Sequence, residues 1–450
     1  MLARIEPHRF SGTVRVPASK SHTIRRLLFA AMAEGVSEID YPLDSLDAQS
    51  CLAACRALGA AITEHRAVDP ACPNPPDAAG NRLVRWTLLG RGAAPPDGGP
   101  INIDVGNSGT TLFLALALAG LFPAPVHFDG DAQIRRRGAA PLLAALTALG
   151  VHTESAGGCV PISVRGPWKG GRVSIECPTS QYLSALLIAA PLAPRETVTE
   201  LDVTLLNERP YVEMTLGYLE AQGLRYEKRE NLSWFRIPGG QTYTPVSGPV
   251  PADFSSSAFP AAAAAISGGP VKLLGLDPND TQGDKAFFDI LAAMGCHVRW
   301  EEDPAPAGGA SPTPVLRVER TGPLRGGEFD LNDTPDMLPA CAVTAAFARG
   351  DTALVNVAHA RIKETDRIAV MAAELGKLGV SVTERPDGLI IHGTGDAPRG
   401  GKINGHGDHR IVMAFAAAAL GASAPVEIDG AQSAAVTYPG FLELLDAKIR

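Results

Sequence analysis

The chain repeats a pattern that is clearest in the stretch Ser19-Lys20-Ser21-His22-Thr23-Ile24-Arg25-Arg26-Leu27-Leu28-Phe29-Ala30-Ala31-Met32-Ala33-Glu34-Gly35. A polar start supplies side chains that cap a helix, an Ala/Leu-rich run predicts a helix apolar on most faces, and a glycine ends it. The pattern returns five times, at Asn107-Ser108-Gly109-Thr110, Pro178-Thr179-Ser180-Gln181, Asp253-Phe254-Ser255-Ser256, Thr334-Pro335-Asp336-Met337 and Asp408-His409-Arg410-Ile411. These five helices are predicted to end near Gly120, Leu192, Gly268, Gly350 and Gly421.

A second helix is predicted after each copy of the pattern. The starts of these second helices are expected near Ser45, Arg135, Glu208, Thr281, Lys363 and Tyr438. Short β-branched runs, such as Val271–Leu274 and residues 352–355, indicate strands between the helices, and residues 12–16 predict a strand before the first helix. The sequence therefore predicts an α/β fold of six tandem units, most simply arranged as two domains of three units.

Composition indicates a cytosolic protein with sizeable cores. Apolar residues make up 45% of the 450 residues, and the net charge of −8, without a long basic run, argues against a nucleic-acid binder. The seven cysteines are odd in number and scattered, which favours reduced thiols in the cytoplasm. The longest apolar stretch, residues 112–122, is shorter than the about 20 residues that a membrane span requires.

The repeated helix starts are the expected place for function, because unpaired N–H groups and the helix dipole attract anions there. Lys20 and Arg25 in the first turns of one helix would oppose its dipole, so an anionic ligand is expected beside them. The same argument applies to Arg410 beside His409. A carboxylate such as Asp336 would repel an anion unless it has a chemical task, for example accepting a proton. Any single Ser, Thr, Asn or Asp here, taken alone, is better explained as a helix cap.

Two further charged clusters have two interpretations each. The arginines of residues 130–137 suit phosphate or carboxylate recognition, but they could also form a solvated face. Lys363 and Arg367 are expected on one helical face, with Glu364 three residues before Arg367, which would direct acid and base to one ligand or form an exposed helix start. A metal bound by His406, Asp408 and His409 is conceivable, but no other His or Cys cluster supports it, and we expect none.

In these motifs the chain resembles the EPSP synthase family, the 3-phosphoshikimate 1-carboxyvinyltransferases, over nearly its whole length. The matching motifs are Ser19-Lys20-Ser21 with Arg25, Gly106-Asn107-Ser108-Gly109-Thr110, Thr179-Ser180-Gln181, Arg209-Pro210-Tyr211, Gln282-Gly283-Asp284, Pro335-Asp336, Arg361-Ile362-Lys363-Glu364-Thr365-Asp366-Arg367 and Gly407-Asp408-His409-Arg410. The resemblance implies a two-domain enolpyruvyl-transferase-like fold with three α/β units per domain around an interdomain cleft. It places residues 18–250 in an N-terminal domain, and residues 1–17 and 251–450 in a discontinuous C-terminal domain.

The resemblance also implies a role for each residue that matches a family motif. The residues implied to bind shikimate 3-phosphate are Lys20, Ser21, Arg25, Thr179, Ser180, Gln181, Asp336 and Lys363. Those implied to bind phosphoenolpyruvate are Lys20, Gly109, either Arg135 or Arg137 (of which we favour Arg137), Gln181, Arg367 and Arg410. Asp336 resembles the acceptor of the hydroxyl proton, and Glu364, helped by Lys20, the acid that protonates the enol methylene. No cofactor or metal, no nucleic acid and no membrane is implied, and we expect a monomer in the cytoplasm.

Several residues depart from the family pattern within these motifs. Phe113 stands where an arginine is usual, Glu208 where a serine contacts the acceptor phosphate, His359 where some members have asparagine, and Val436 where some have lysine. Three functions are therefore compared: the shikimate-pathway transferase, a paralogous carboxyvinyltransferase with another phosphorylated or nucleotide-sugar acceptor, and a non-catalytic binding protein. The 135–138 loop lacks the cysteine typical of the nucleotide-sugar enzymes. The presence of Asp336, Lys363 and Glu364 together disfavours a protein that only binds.

Overall fold

A computed structural model of the protein describes residues 1–93, 99–303, 313–446 and 448–449. The chain forms two compact units: a continuous unit, Lys20–Val250, and a discontinuous unit that joins Met1–Ser19 to Pro251–Arg450. The first boundary lies two residues later than the sequence predicts, because the Ser19 N–H donates to the Pro251 carbonyl at 2.8 Å. The predicted loops at 91–100 and 304–314 lie partly outside the described residues.

The described residues form six four-stranded sheets, three in each unit, and all six share one pairing pattern, in which a parallel pair is followed by two antiparallel pairings. In one of them Ile101–Asp104 runs parallel to Val126–Asp129, which pairs antiparallel with Cys159–Arg165. Cys159–Arg165 in turn pairs antiparallel with His152–Ala156. A parallel pair requires a crossover, and in four of the six sheets a helix lies in the chain between the two parallel strands. In the other two sheets the parallel strands, Gly12–Arg15 with Val271–Leu274 and Glu34–Asp40 with Ser247–Pro249, are far apart in the sequence. The predicted α/β fold of six repeated units is therefore confirmed.

The continuous unit contains the first three repeats. Besides the sheet already described, it has two more. The strand order of one is Ser247–Pro249, Glu34–Asp40, Arg82–Arg91, Ala61–Ala67. The strand order of the other is Gly171–Cys177, Val198–Leu206, Trp234–Pro238, Glu227–Lys228. Its helices are α1 (Lys20–Met32), α2 (Leu46–Ala57), α3 (Gly109–Ala119), α4 (Ala140–Ala148), α5 (Ser180–Ala189) and α6 (Arg209–Ala221), with 3-10 turns at Ile134–Arg136 and Ala190–Leu192.

The discontinuous unit contains the other three repeats. The strand order of its first sheet is Cys296–Asp303, Thr313–Arg320, Val271–Leu274, Gly12–Arg15. That of the second is Glu328–Asp330, Arg349–Val355, Gly388–Thr394, Ser381–Arg385. That of the third is Gly401–Asn404, Val426–Asp429, Leu2–Ile5, Lys448–Ile449. Its helices are α7 (Phe254–Ser267), α8 (Ala286–Ala293), α9 (Leu338–Ala345), α10 (Arg367–Lys377), α11 (His409–Ala419) and α12 (Phe441–Leu444). Its 3-10 turns are Gly283–Lys285, Pro335–Met337, Ala358–Ile362 and Ala431–Val436.

The first helix of each repeat lies in the core of its unit. Every residue of α3 and of α11 is buried, and α7, α9 and α11 contact one another. Alanine favours the helical state strongly and its small side chain lets helices approach closely, which explains why these segments are rich in it. Of the helices in the described ranges, none is both long and apolar enough to cross a membrane. All seven cysteines are free thiols.

Four predicted helix boundaries are wrong. Thr281 precedes the 3-10 turn Gly283–Lys285, and the helix expected there begins only at Ala286. Arg135 lies in a 3-10 turn, and the helix expected there begins only at Ala140. Gly350 does not end a helix, because α9 stops at Ala345 and Gly350 belongs to the strand Arg349–Val355. Lys363 precedes α10, which begins at Arg367 after the Asp366 side chain accepts a hydrogen bond from the Ala369 N–H.

Candidate active site

At the start of α1, Lys20 pairs with a carboxylate of the same unit. Its Nζ lies 3.1 Å from Oδ2 of Asp47, in the first turn of α2, and both side chains are largely buried. Asp47 was missed in the sequence, since an acidic residue in a first helical turn has the ordinary explanation of a dipole partner. The cation predicted to contact both substrates is thus held in place by an internal anion.

Arg25, one turn further along α1, is a buried cation whose hydrogen bonds reach neutral oxygens. It donates to the Thr215 hydroxyl at 2.9 Å, to the Ser21 carbonyl at 3.2 Å and to the Tyr211 carbonyl at 3.0 Å. Burial lowers the pKa of Arg25 to about 10, because removal from water disfavours the charged form. The guanidinium therefore stays charged at neutral pH, and its field favours an anion near the start of α1.

The two arginines that the sequence left open, Arg135 and Arg137, have different surroundings near the start of α3. Arg135 is bound to Asp129 by two hydrogen bonds of 2.9 and 2.6 Å and is more than half exposed. Arg137 instead lies against Gly109, where an added Cβ would come within 2.3 Å of its guanidinium nitrogen. Glycine is therefore required at 109 for the guanidinium to reach the helix start. The Arg137 guanidinium also lies 5.7 Å from the centre of the Phe113 ring, within the range of a cation–π contact.

The start of α5 brings together the predicted residues Thr179, Ser180 and Gln181. The Gln181 side chain donates to the Thr110 hydroxyl at 3.3 Å, so this helix start meets that of α3. A carboxylate from the next helix, that of Glu208, accepts hydrogen bonds from Thr179 and Ser180. Glu208 therefore already contacts the groups expected to hold a phosphate.

In the discontinuous unit, Asp336 lies between two arginines. Its Oδ1 accepts from Arg367 at 2.7 Å and its Oδ2 lies 2.8 Å from Arg410. Burial alone raises the pKa of Asp336, but the charges of Arg410 and Arg367 outweigh burial and hold that pKa well below its usual range. The charge of Lys363 acts in the same direction, which places the Lys363 ammonium close to this cluster.

Arg367 is fully buried and is surrounded by carboxylates. Besides Asp336 it binds Asp408, from Nε at 2.9 Å, and Glu364, through its other terminal nitrogen. Burial lowers the pKa of Arg367, but these carboxylates more than offset that effect and raise it above its ordinary value. The prediction that Lys363 and Arg367 share a helical face is wrong, because Lys363 precedes the helix; the predicted proximity of Glu364 to Arg367 is observed.

Arg410, in the first turn of α11, joins three helix starts of this unit. It donates to the Ser255 hydroxyl in α7 and to the His409 ring, and it pairs with Asp336 just before α9. Asp408 caps α11 by accepting from the Arg410 N–H at 2.9 Å while it also binds Arg367. The sequence identified Asp408 as polar but carried no signal for its pairing with a cation 41 residues away.

The remaining candidates take structural positions in the same unit. His359 is buried and its Nε2 lies 3.0 Å from the Asn332 carbonyl, and Val436 is half-buried at the end of a 3-10 helix. His406 binds Glu374, at 2.7 Å between Nε2 and Oε1. In the described parts of the chain, no three His, Cys, Asp or Glu side chains form a group that could hold a metal ion.

These features define a class of protein before any comparison is made. The class is an α/β protein of six repeated units in which several helix starts carry buried cations paired with carboxylates. The sequence profile of one family, described as EPSP synthase (3-phosphoshikimate 1-carboxyvinyltransferase), matches residues 5–445.

Named relatives agree with that profile. The chain is 44% identical to the 3-phosphoshikimate 1-carboxyvinyltransferase of Acetivibrio thermocellus, over 99% of this chain and 97% of that protein. It is 38% identical to the enzyme of the same name from Methanocella arvoryzae, over the full length of both. A solved EPSP synthase structure from Acinetobacter baumannii superposes with a TM-score of 0.77 at 28% identity, covering 99% of this chain and 97% of that one. The chain belongs to the EPSP synthase family.

Proposed function

We propose that this protein transfers the carboxyvinyl group of phosphoenolpyruvate to the 5-hydroxyl of shikimate 3-phosphate and releases phosphate, in the synthesis of aromatic amino acids. The observation that carries the proposal is the position of the Asp336 carboxylate between Arg367 and Arg410. A second carboxylate, that of Glu364, pairs with Arg367. Besides pairing with the buried cations, two carboxylates in this position can accept and donate protons, which the reaction uses and anion binding alone does not. The names of the full-length relatives favour this reaction over that of a paralogue with another acceptor.

The proposed binding residues divide by substrate. For shikimate 3-phosphate they are Lys20, Ser21, Arg25, Thr179, Ser180, Gln181, Asp336 and Lys363. For phosphoenolpyruvate they are Lys20, Gly109, Arg137, Gln181, Arg367 and Arg410. The buried Arg25 guanidinium and the position of Arg137 against Gly109 support these assignments.

The proposed reaction has an addition step and an elimination step. In the addition, the acceptor oxygen bonds to C2 of phosphoenolpyruvate, Asp336 takes the hydroxyl proton, and Glu364, helped by Lys20, gives a proton to the methylene carbon. In the elimination, the C2–O bond to phosphate breaks and its electron pair leaves with phosphate, which receives the proton held by Asp336. Glu364 takes back the proton that the new methyl group loses, which restores the double bond. Carboxylates that exchange protons in this way contribute general acid–base catalysis.

The charge around Asp336 adds a requirement to this mechanism. A carboxylate whose pKa is held far below its usual range is a weak base. An anionic substrate bound to Arg367 and Arg410 shares their positive charge and so raises the pKa of Asp336 toward its ordinary value. Binding of phosphoenolpyruvate is thereby expected to prepare the base for the acceptor hydroxyl.

Phosphate release by the purified protein tests the proposal. With phosphoenolpyruvate and shikimate 3-phosphate together, without added metal, inorganic phosphate should appear in step with the enolpyruvyl product. Either substrate alone should give none, and Asp336→Asn should reduce the rate by roughly 10²–10⁴. Release with a different phosphorylated acceptor only would assign the chain to a paralogue, and no release with any acceptor would indicate a binding protein.

Two finer expectations stay predictions from the sequence. One is the monomeric state, which light scattering of the purified chain would measure. The other is a cytoplasmic location, with which the seven free thiols are consistent.

A further inference from the structure

Glu208, the residue that directly precedes α6, makes an unusual contact for a glutamate. Its side chain is buried, and one oxygen, Oε2, accepts from the Ser180 N–H at 3.0 Å, the Ser180 hydroxyl at 2.7 Å and the Thr179 hydroxyl at 3.1 Å. Its backbone has φ 58° and ψ 43°, a left-handed conformation that is uncommon for a residue with a Cβ. The fold thus directs this carboxylate to the start of α5.

Each of the three groups that donate to Glu208, the Thr179 hydroxyl and the N–H and hydroxyl of Ser180, can form a strong hydrogen bond to only one acceptor at a time. A backbone N–H and a hydroxyl each carry a single hydrogen. The start of α5 favours an anion because its N–H groups are unpaired by the helix and its dipole is positive there. In the structure that anion is supplied by the chain itself.

The proposed function requires the same donors, because Thr179 and Ser180 are proposed to hold the acceptor phosphate. Two anions on one set of three hydrogens would leave one of them without hydrogen bonds and would place like charges together. The phosphate and the Glu208 carboxylate are therefore alternatives at this position.

We propose that Glu208 is a specificity-determining residue whose carboxylate occupies the phosphate position of the acceptor site and must be displaced when the acceptor binds. The inference rests on the proposed function. Its consequence is that Glu208 weakens the binding of the phosphate group while leaving the rest of the acceptor unaffected. Phosphorylated and unphosphorylated acceptors are thus distinguished less sharply than they would be with a neutral residue at 208.

Calorimetric titration of four proteins with two ligands tests the proposal. The proteins are the native chain, Glu208→Ser, Glu208→Gln and the control Glu213→Gln, which removes an exposed carboxylate from the same helix. The ligands are shikimate 3-phosphate and shikimate, which differ by the phosphate. Glu208→Ser should bind shikimate 3-phosphate at least about tenfold more tightly than the native chain, which corresponds to about 1.4 kcal/mol. Glu208→Gln should change in the same direction, and the affinity for shikimate and the behaviour of Glu213→Gln should be unchanged.

The possible failures separate the two proposals. The inference is wrong if both Glu208 variants bind shikimate 3-phosphate no better than the native chain, while the native chain still releases phosphate with this acceptor. Glu208 would then only stabilise the start of α5. Equal tightening for shikimate would also overturn it, because the effect would not depend on the phosphate. If the native chain does not react with shikimate 3-phosphate at all, the proposed function fails and the inference fails with it. Glu208→Gln, which keeps the side-chain length, decides the case if Glu208→Ser does not fold.

Discussion

Several of the proposed anion-binding groups already contact a carboxylate of the same chain. Lys20 pairs with Asp47, and Thr179 and Ser180 with Glu208. In the discontinuous unit, Arg367 and Arg410 likewise pair with Asp336, and Arg367 also pairs with Asp408. A buried charge without a partner is costly, so these contacts stabilise the ligand-free protein. Substrate affinity then reflects a competition between substrate anions and internal carboxylates.

Replacing Glu364 by glutamine tests the proposed acid. The amide fills the same space and can still accept a hydrogen bond from Arg367, but it cannot donate a proton to carbon. Turnover should fall by roughly 10²–10⁴, while binding of shikimate 3-phosphate should change little. Steady-state phosphate release and calorimetric titration measure the two quantities separately.

The matched control is Glu384→Gln, which removes a partly exposed carboxylate that pairs with Arg361 in the same unit. That variant should keep normal turnover. Near-normal turnover in Glu364→Gln would mean that another group donates the proton, and equal losses in both variants would point to a general effect of charge.

At this scale the sequence predicts which residues carry chemistry better than it predicts their partners. The polar helix starts are local patterns, and the proximity of Glu364 to Arg367 follows from a separation of three residues. The partners Asp47 and Asp408 and the position of Glu208 depend on contacts between repeats, which no local pattern encodes. For the same reason, the sequence left Arg135 and Arg137 as alternatives.

Among the elements, the loop before α11 is fixed by a carboxylate on α10. Glu374 is buried and accepts from the Asn404 N–H at 3.1 Å, from His406 at 2.7 Å and from Lys377 at 2.7 Å. His406 has φ 51°, a left-handed conformation that the surrounding contacts must maintain. This loop leads directly into Asp408, so Glu374 acts as a positioning residue for the cluster.

Glu374→Gln should lower the free energy of unfolding by about 1–3 kcal/mol at neutral pH, because a buried charge-assisted network is weakened. Burial raises the pKa of Glu374, but the hydrogen bonds from Lys377 and His406 outweigh burial and lower it below its ordinary value of 4.5. A carboxylate with a lowered folded-state pKa stabilises the protein above its unfolded pKa, and this contribution is lost as the pH falls through the folded value.

The difference in unfolding free energy between the native chain and Glu374→Gln should therefore be constant above about pH 5.5 and shrink below about pH 4.5. Urea unfolding at a series of pH values measures it. Glu443→Gln, a carboxylate replacement on α12, serves as the control and should show a much smaller difference. A difference for Glu374→Gln that does not depend on pH would contradict the assigned role of its charge.

For whole elements, the repeated pattern predicts that a helix exists in each place better than it predicts the residues at which that helix begins and ends. The apolar helix of each repeat is correctly predicted because its alanine and leucine run is continuous. The second helices begin later than predicted at Arg135 and Lys363, since a 3-10 turn or an N-cap such as Asp366 intervenes. Such turns contain the same charged residues as the first turn of an α-helix, so composition alone does not distinguish a turn from a helix start.

For the molecule as a whole, the sixfold repeat was sufficient to predict the fold class, but two short strands were missed. Leu2–Ile5 completes the sheet of the last repeat, and Ser247–Pro249 completes that of the first. Each joins a sheet whose other strands are distant in sequence, and Ser247–Pro249 has the glycine and proline content of a loop. Such strands are defined by their partners more than by their own residues.

This arrangement predicts which pieces of the chain fold alone. Residues 20–250 contain every strand and helix of the continuous unit, including Ser247–Pro249, and should unfold cooperatively as a separate fragment. Residues 251–450 lack Gly12–Arg15, which pairs with Val271–Leu274, and also lack Leu2–Ile5. That fragment should not fold, because two of its sheets would be incomplete and buried apolar residues would be exposed.

Joining residues 1–19 to the end of the second fragment should restore its fold. Lys448–Ile449 pairs antiparallel with Leu2–Ile5, with Ile449 opposite Ala3, so a linker of ~4 residues from Arg450 to Met1 would close a β-hairpin. Circular dichroism and urea unfolding of 251–450, with and without the appended segment, make the comparison. A control segment with proline at Ala3 and Val14 should not restore folding, because both residues are buried in strands whose pairing proline opposes. Cooperative unfolding of 251–450 without the segment would show that the N-terminal strands are dispensable, contrary to their position in two of the three sheets.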